Sequence, residues 1–95
     1  MNDLEKARIE INRIDEEIAK LFEQRMKVVE DVIDYKIKNG MEILDSNREK
    51  EVIERNKSLI ADKKYEKYYL EFIINMMKIS KDYQKEILKK DKEED

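Results

Sequence analysis

The chain of 95 residues has no cysteine, histidine, tryptophan or proline and only one glycine. Without cysteine there can be no disulfide, thiolate metal ligand or thiol nucleophile, and the composition suits a reducing compartment. With histidine missing too, a zinc centre is not expected. No stretch approaches the ~18 consecutive apolar residues of a membrane span. The opening residues Met1, Asn2, Asp3, Leu4 and Glu5 are acidic and lack the basic-then-apolar order of a secretory signal. The expected location is the cytoplasm, with no membrane partner.

What is present is charge and aliphatic side chains: 47% of residues are charged and 40% hydrophobic, for a net charge of −3. That is too apolar for a disordered tail. The lack of a large basic block argues against nucleic acid as a partner. Helix formers dominate and breakers are nearly absent, so the expected class is all-α. The length fits one domain, residues 2–88, followed by a charged tail over 89–95 with no apolar face, expected to fray. A chain this short buries only roughly 60–65% of its unfolded surface, so it gains much from a partner.

The periodicity predicts three helices. Asn2 or Asp3 caps the first, with Glu5 in capping-box position, and Asn39-Gly40 supplies a left-handed stop. A helix of that length spans ~55 Å. Its apolar stripe is Leu4, Ala7, Ile11, Ile14, Ile18, Leu21, Val28 and Val32, spaced alternately by three and four. One stripe on so long a rod cannot be covered inside a chain of this size, so a second long helix must lie beside it. The second helix begins at residues 45–49, with Ser46 and Glu49 as a capping box, and stops near Ala61, Asp62 or Lys63. The third runs from about Lys64 to near Leu88, burying Tyr69, Leu70, Ile73, Met76, Met77, Tyr83 and Ile87.

The informative residues are polar ones in apolar rows. Arg25 interrupts the heptad row Leu4, Ile11, Ile18, Val32, where a permanent charge costs several kcal/mol unless an anion meets it. Lys36, eleven residues on, returns to almost the same face ~16 Å along the axis. Arg8 lies ~25 Å from Arg25 and ~42 Å from Lys36 on a straight helix. One chain cannot bring these three cations together, whereas an antiparallel partner helix crossing near residues 18–20 could. Arg48 and Glu49 precede the inward Val52 and Ile53. Ser80 and Gln84 continue the row of Ile73 and Met77, and a buried hydroxyl and amide need partners.

Each of these also has a purely structural explanation. Arg25 and Lys36 can pair with carboxylates of neighbouring helices, and Arg8 can be a solvated surface residue. Ser80 and Gln84 can be inter-helix contacts, Asp45 a cap, and Arg48 and Glu49 a first-turn charge pair. Taken together, the set suits a site for a small dianion.

The ordered pattern Arg8-x6-Asp15-x9-Arg25-x10-Lys36-x8-Asp45-x2-Arg48-Glu49, followed by Ser80-x3-Gln84, resembles the all-helical type of chorismate mutase. So does Ile14-Asp15-x-x-Ile18, and the register holds from Leu4 to Gln84. The resemblance implies an intertwined antiparallel homodimer of three-helix chains that rearranges chorismate to prephenate without a metal or cofactor. It implies a site of Arg25, Lys36, Asp45, Glu49, Ser80 and Gln84 from one chain and Arg8 from the other. Arg8 and Arg25 would hold the two carboxylates with help from Ser80. Lys36 and Gln84 would bind the ether oxygen, and Glu49 with the Asp45 backbone the ring hydroxyl, with Arg48 supporting. Such a rearrangement needs no nucleophile or proton relay, which suits a chain without cysteine or histidine. Two positions depart from the family's pattern. Lys81 stands where an apolar wall is expected, and Ile79 where a polar neighbour is. The competing readings are an isochorismate pyruvate lyase on the same scaffold and a non-catalytic helical dimer or adaptor.

Overall fold

The Asn2 carboxamide accepts a hydrogen bond from the Glu5 amide at 2.8 Å, while its own NH2 group reaches the Glu5 carboxylate at 3.4 Å. This cap starts α1, which runs Asp3–Lys38 in the computed structural model, whose described residues are 1–94. Acidic residues in its first turn and Lys36 and Lys38 in its last complement the helix dipole. The helix ends as expected at Asn39-Gly40. The Gly40 amide bonds the Ile37 carbonyl at 3.4 Å and the Met41 amide the Lys36 carbonyl at 2.8 Å. This is a Schellman closure with Gly40 at φ +61°, where a side chain would be strained. The turn reverses the chain, so that residues 43–49 come back past Lys36.

The second helix, α2, spans Ser46–Leu59. Its cap is Asp45, whose carboxylate accepts from the Arg48 amide at 3.0 Å, and not the expected Ser46 with Glu49. A carboxylate in the β region just before the first turn meets the free amides at lower cost than a hydroxyl inside the helix. Further on, Asp62 does not close α2, which has already ended at Leu59. Its side chain accepts from the Lys64 amide at 3.2 Å and starts a single 3₁₀ turn, Lys63–Tyr65, that leads into the third helix. That helix, α3, spans Glu66–Glu94.

The stretch expected to fray is helical up to Glu94, while Asp95 lies outside the described residues. Residues 89–94 contain only good helix formers and Asp91, and Asp91 is half-buried. Together with Leu88 it lines a depression beside Lys36, Gly40 and Ile43, so the last turns lean on the α1–α2 connection.

Among the described residues α3 packs on both α1 and α2, while the backbones of α1 and α2 do not pack on each other. The buried apolar core within the chain is Val29 and Ile33. The predicted inward residues of α3 are all half-buried. The Tyr69 hydroxyl joins α3 to Asn56 of α2 at 3.0 Å, and the Tyr83 hydroxyl joins it to Glu30 of α1 at 2.9 Å. A radius of gyration of 17.2 Å compares with about 12 Å for a compact chain of this length. The accessible surface of 8003 Å² exceeds the folded-monomer expectation by roughly 2,000 Å². Most of the α1 stripe, Leu4 to Val32, contributes to that surplus. No helix among the described residues is long and apolar enough to cross a membrane.

Candidate active site

Each helix offers one face with the same spacing to a common cleft of about 280 Å³. From α1 come Arg25, Val28, Val29, Val32 and Lys36, and from α2 and its cap Asp45, Arg48, Glu49 and Val52. Met77, Ser80, Lys81 and Gln84 of α3 form the floor. Steps of three, four, seven and eleven keep these side chains on one side of each helix. Because α1 and α2 do not pack on each other, α3 holds the two walls apart and the cleft lies between them.

The polar groups are mutually oriented. Arg25 Nη1 donates to Ser80 Oγ, and Ser80 Oγ in turn donates to the Met76 carbonyl at 2.9 Å. The guanidinium is thereby fixed by a hydroxyl that is itself fixed to the α3 backbone. Lys36 Nζ donates to the Ile43 carbonyl at 2.7 Å, a contact made possible by the Gly40 reversal. An ammonium has three hydrogens, so two remain for other acceptors. Gln84 Nε2 donates to the Ser80 carbonyl at 3.3 Å. Gln84 is buried, and its Oε1 is the buried side-chain polar atom without a partner among the described residues. The unpaired acceptor costs about 1–3 kcal/mol, and the second Nε2 hydrogen is the one available to a ligand's acceptor.

The remaining expected residues divide. Glu49 lines the cleft and meets Lys81 Nζ at 3.0 Å. Asp45 reaches the cleft, but its carboxylate caps α2 and its carbonyl accepts from the Glu49 amide at 3.0 Å, which leaves its backbone N–H for a ligand. Arg48 lines the rim with its guanidinium 3.5 Å from Glu51, and its side chain is 62% exposed. Arg8 is exposed on the far half of α1 and does not line the cleft. Of the apolar walls, Val28, Val32, Val52 and Met77 were read from the sequence as stripe or inward residues, whereas Val29 and Ile43 were not singled out. The signal for Val29 was the helical spacing itself, four residues from Arg25, whereas Ile43 lies in the connection between α1 and α2, where no helical spacing applies.

Four cations, Arg25, Lys36, Arg48 and Lys81, face two carboxylates, Asp45 and Glu49, in a chain that is acidic overall. Low-dielectric walls concentrate that local positive potential on a small anion whatever the net charge. The arrangement can clamp carboxylates through Arg25, present an ammonium and a buried amide to a neutral or developing oxygen, and accept a hydroxyl at Glu49.

The sequence profile of the family described as chorismate mutase type II matches residues 7–85. The chain belongs to that family. The matched span contains Arg8 and every polar residue of the cleft, and the three α-helices without a strand among the described residues agree with the membership. A bifunctional chorismate mutase/prephenate dehydratase of Buchnera aphidicola is 44% identical over 54 residues. Those residues are 57% of this chain and 14% of the relative, so the chain corresponds to a small part of that protein's length. No solved structure gave a significant match.

Proposed function

We propose that the chain is a chorismate mutase, converting chorismate to prephenate as a homodimer with two sites shared between subunits. The observation that carries this reading is the convergence of Arg25, Lys36, Glu49, Ser80 and Gln84, from three helices, on one small cleft.

The reaction breaks a carbon–oxygen ether bond and forms a carbon–carbon bond within one molecule, so no atom enters or leaves. Catalysis then consists of holding a flexible dianion in a compact chair and placing positive charge where the ether oxygen gains electron density. Arg25, aligned by Ser80, takes one carboxylate. Arg8 of the partner subunit takes the other, since Arg8 of the same chain is ~25 Å from Arg25 along α1. Lys36 uses the hydrogens left free by Ile43, and Gln84 its remaining N–H, to bind the ether oxygen. Lys36 also touches a carboxylate. Glu49 and the Asp45 backbone hold the ring hydroxyl, with Arg48 at the rim. A rate gain of ~10⁶ corresponds to about 8 kcal/mol of preferential transition-state binding. Charge-assisted hydrogen bonds of roughly 1.5–3 kcal/mol make four or five such contacts sufficient. No step calls for a cofactor, and the cytoplasm is the proposed setting.

The decisive assay follows chorismate absorbance with purified protein and identifies the product. Prephenate supports the mutase, pyruvate release indicates the lyase, and no change the adaptor. Lys36→Ala should lower kcat by roughly 10²–10³-fold or more, because its contact strengthens as charge develops. Near-normal kcat in a folded variant would remove Lys36 from the mechanism. Arg8→Ala and Arg25→Ala should each be inactive, yet regain about a quarter of wild-type activity once subunits exchange, since each heterodimer keeps one intact site. Exchange without recovery refutes the shared site.

A further inference from the structure

Lys81 occupies the position beside Ser80 where an apolar wall is expected, and its ammonium lies 3.0 and 3.4 Å from the two Glu49 oxygens. The other ion pairs among the described residues join near neighbours in sequence, through side chains at least 43% exposed. The Lys81–Glu49 pair differs on both counts. It joins α3 to α2 across 32 residues, and each side chain is only 29% exposed. The other cations of the cleft are engaged elsewhere: Arg25 on Ser80, Lys36 on Ile43 and Arg48 on Glu51. Lys81 is thus the cation that meets Glu49.

A free lysine has a large rotamer entropy, and a shielded glutamate loses hydration, so both are held only if the pair compensates. When a ligand fills the cleft and displaces water, an uncompensated Glu49 carboxylate would become costlier still. One ammonium leaves part of the carboxylate's four acceptor sites open to a hydroxyl.

We propose that Lys81 is a positioning residue, fixing Glu49 across the α2–α3 wall as the charged acceptor for the ring hydroxyl of the ligand. The inference rests on the functional reading given above. Lys81 acts through Glu49, so its effect exists only while Glu49 is a carboxylate. Glu49 holds the hydroxyl in ground state and transition state alike, so the loss falls on KM, in contrast to Lys36, whose loss falls on kcat.

The test is a double-mutant cycle on chorismate turnover with Lys81→Met, Glu49→Gln and the pair combined, with Lys81→Arg as the conservative variant. Lys81→Gln replaces Lys81→Met should the latter fail to fold by circular dichroism. Lys81→Met should raise KM roughly tenfold with kcat changed by less than about threefold. Lys81→Arg should recover KM to within about threefold, and adding Lys81→Met to Glu49→Gln should cost less than about twofold. An unchanged KM in Lys81→Met, an arginine variant as impaired as the methionine, or additive losses in the double variant overturns the inference alone. Wild-type protein inert toward chorismate overturns the functional reading and this inference with it.

Discussion

The two halves of α1 carry similar densities of apolar side chains and treat them in opposite ways. In the C-terminal half, Val29 and Ile33 are buried, with Ile33 only 1% exposed. The same half is tied down by Arg25 to Ser80 and by Glu30 to Tyr83. In the N-terminal half every residue is exposed, including Ile11 at 54% and Ile14 and Ile18 at 45%. Where α3 does approach, Ile18 still lies beside Phe72, Met76 and Ile79 in an open depression, so the stripe is left uncovered. One half of the rod is scaffold for the cleft, and the other is a face that this chain alone leaves in water. An apolar surface so extensive is costly for a free monomer and typical of a chain that folds with a partner. The proposed pairing places Arg8, on that open half, beside a neighbour's cleft.

The largest way to break the contrast is Ile18→Asp. Ile18, Leu21 and Phe22 line an apolar depression with Phe72, Met76 and Ile79. In the proposed dimer a second copy covers this face, and a carboxylate trapped there without a partner costs several kcal/mol. We expect dissociation in analytical ultracentrifugation, loss of concentration-dependent stability and loss of turnover. A variant that sediments like wild type would show that this face is not an interface. Ile33→Ala tests the other half. Removing a fully buried side chain should cost about 2–5 kcal/mol, read as a lower urea midpoint. Dimer formation by the folded fraction should survive. Equal effects of the two substitutions on association would erase the distinction between the halves.

Much of this organisation was legible in the residues. Asn2, Gly40 and the three-four spacing located both ends of α1, because caps and breakers act locally. The cleft polar set was legible because Arg25, Ser80 and Gln84 sit in otherwise apolar rows. Two kinds of feature were not. The cap of α2 at Asp45 and the helix ends near Asp62 and Asp91 depend on what an aspartate meets. The same residue caps α2, starts a 3₁₀ turn or rides half-buried on α3, and composition does not distinguish those fates. Which α1 face is buried within the chain was also hidden. The predicted stripe is the open face, whereas Val29 belongs to the row of Arg8, Phe22 and Lys36. Periodicity marks apolar faces without saying which belongs to the chain itself.

The smallest expected effect sharpens the comparison on its scaffold side. The hydrogen bond that Tyr83 donates to the Glu30 carboxylate, followed by burial, raises the phenol above its ordinary value. A phenolate could not donate and would face a like charge. Because the folded value is the raised one, the contribution to stability is complete below the unfolded phenol value near 10 and is lost as pH climbs through the folded value. Wild type should therefore melt slightly above Tyr83→Phe at pH 7, with the difference shrinking above about pH 10. The pair lies near the surface, so added salt should change the gap little at pH 7, where the phenol is neutral. A melting difference that stays constant to pH 11, checked against Glu30→Gln, would mean that the hydroxyl is not a tether. The junction of α1 with α3 would then rest on its other contacts, the Arg25–Ser80 hydrogen bond and the buried Val29 among them.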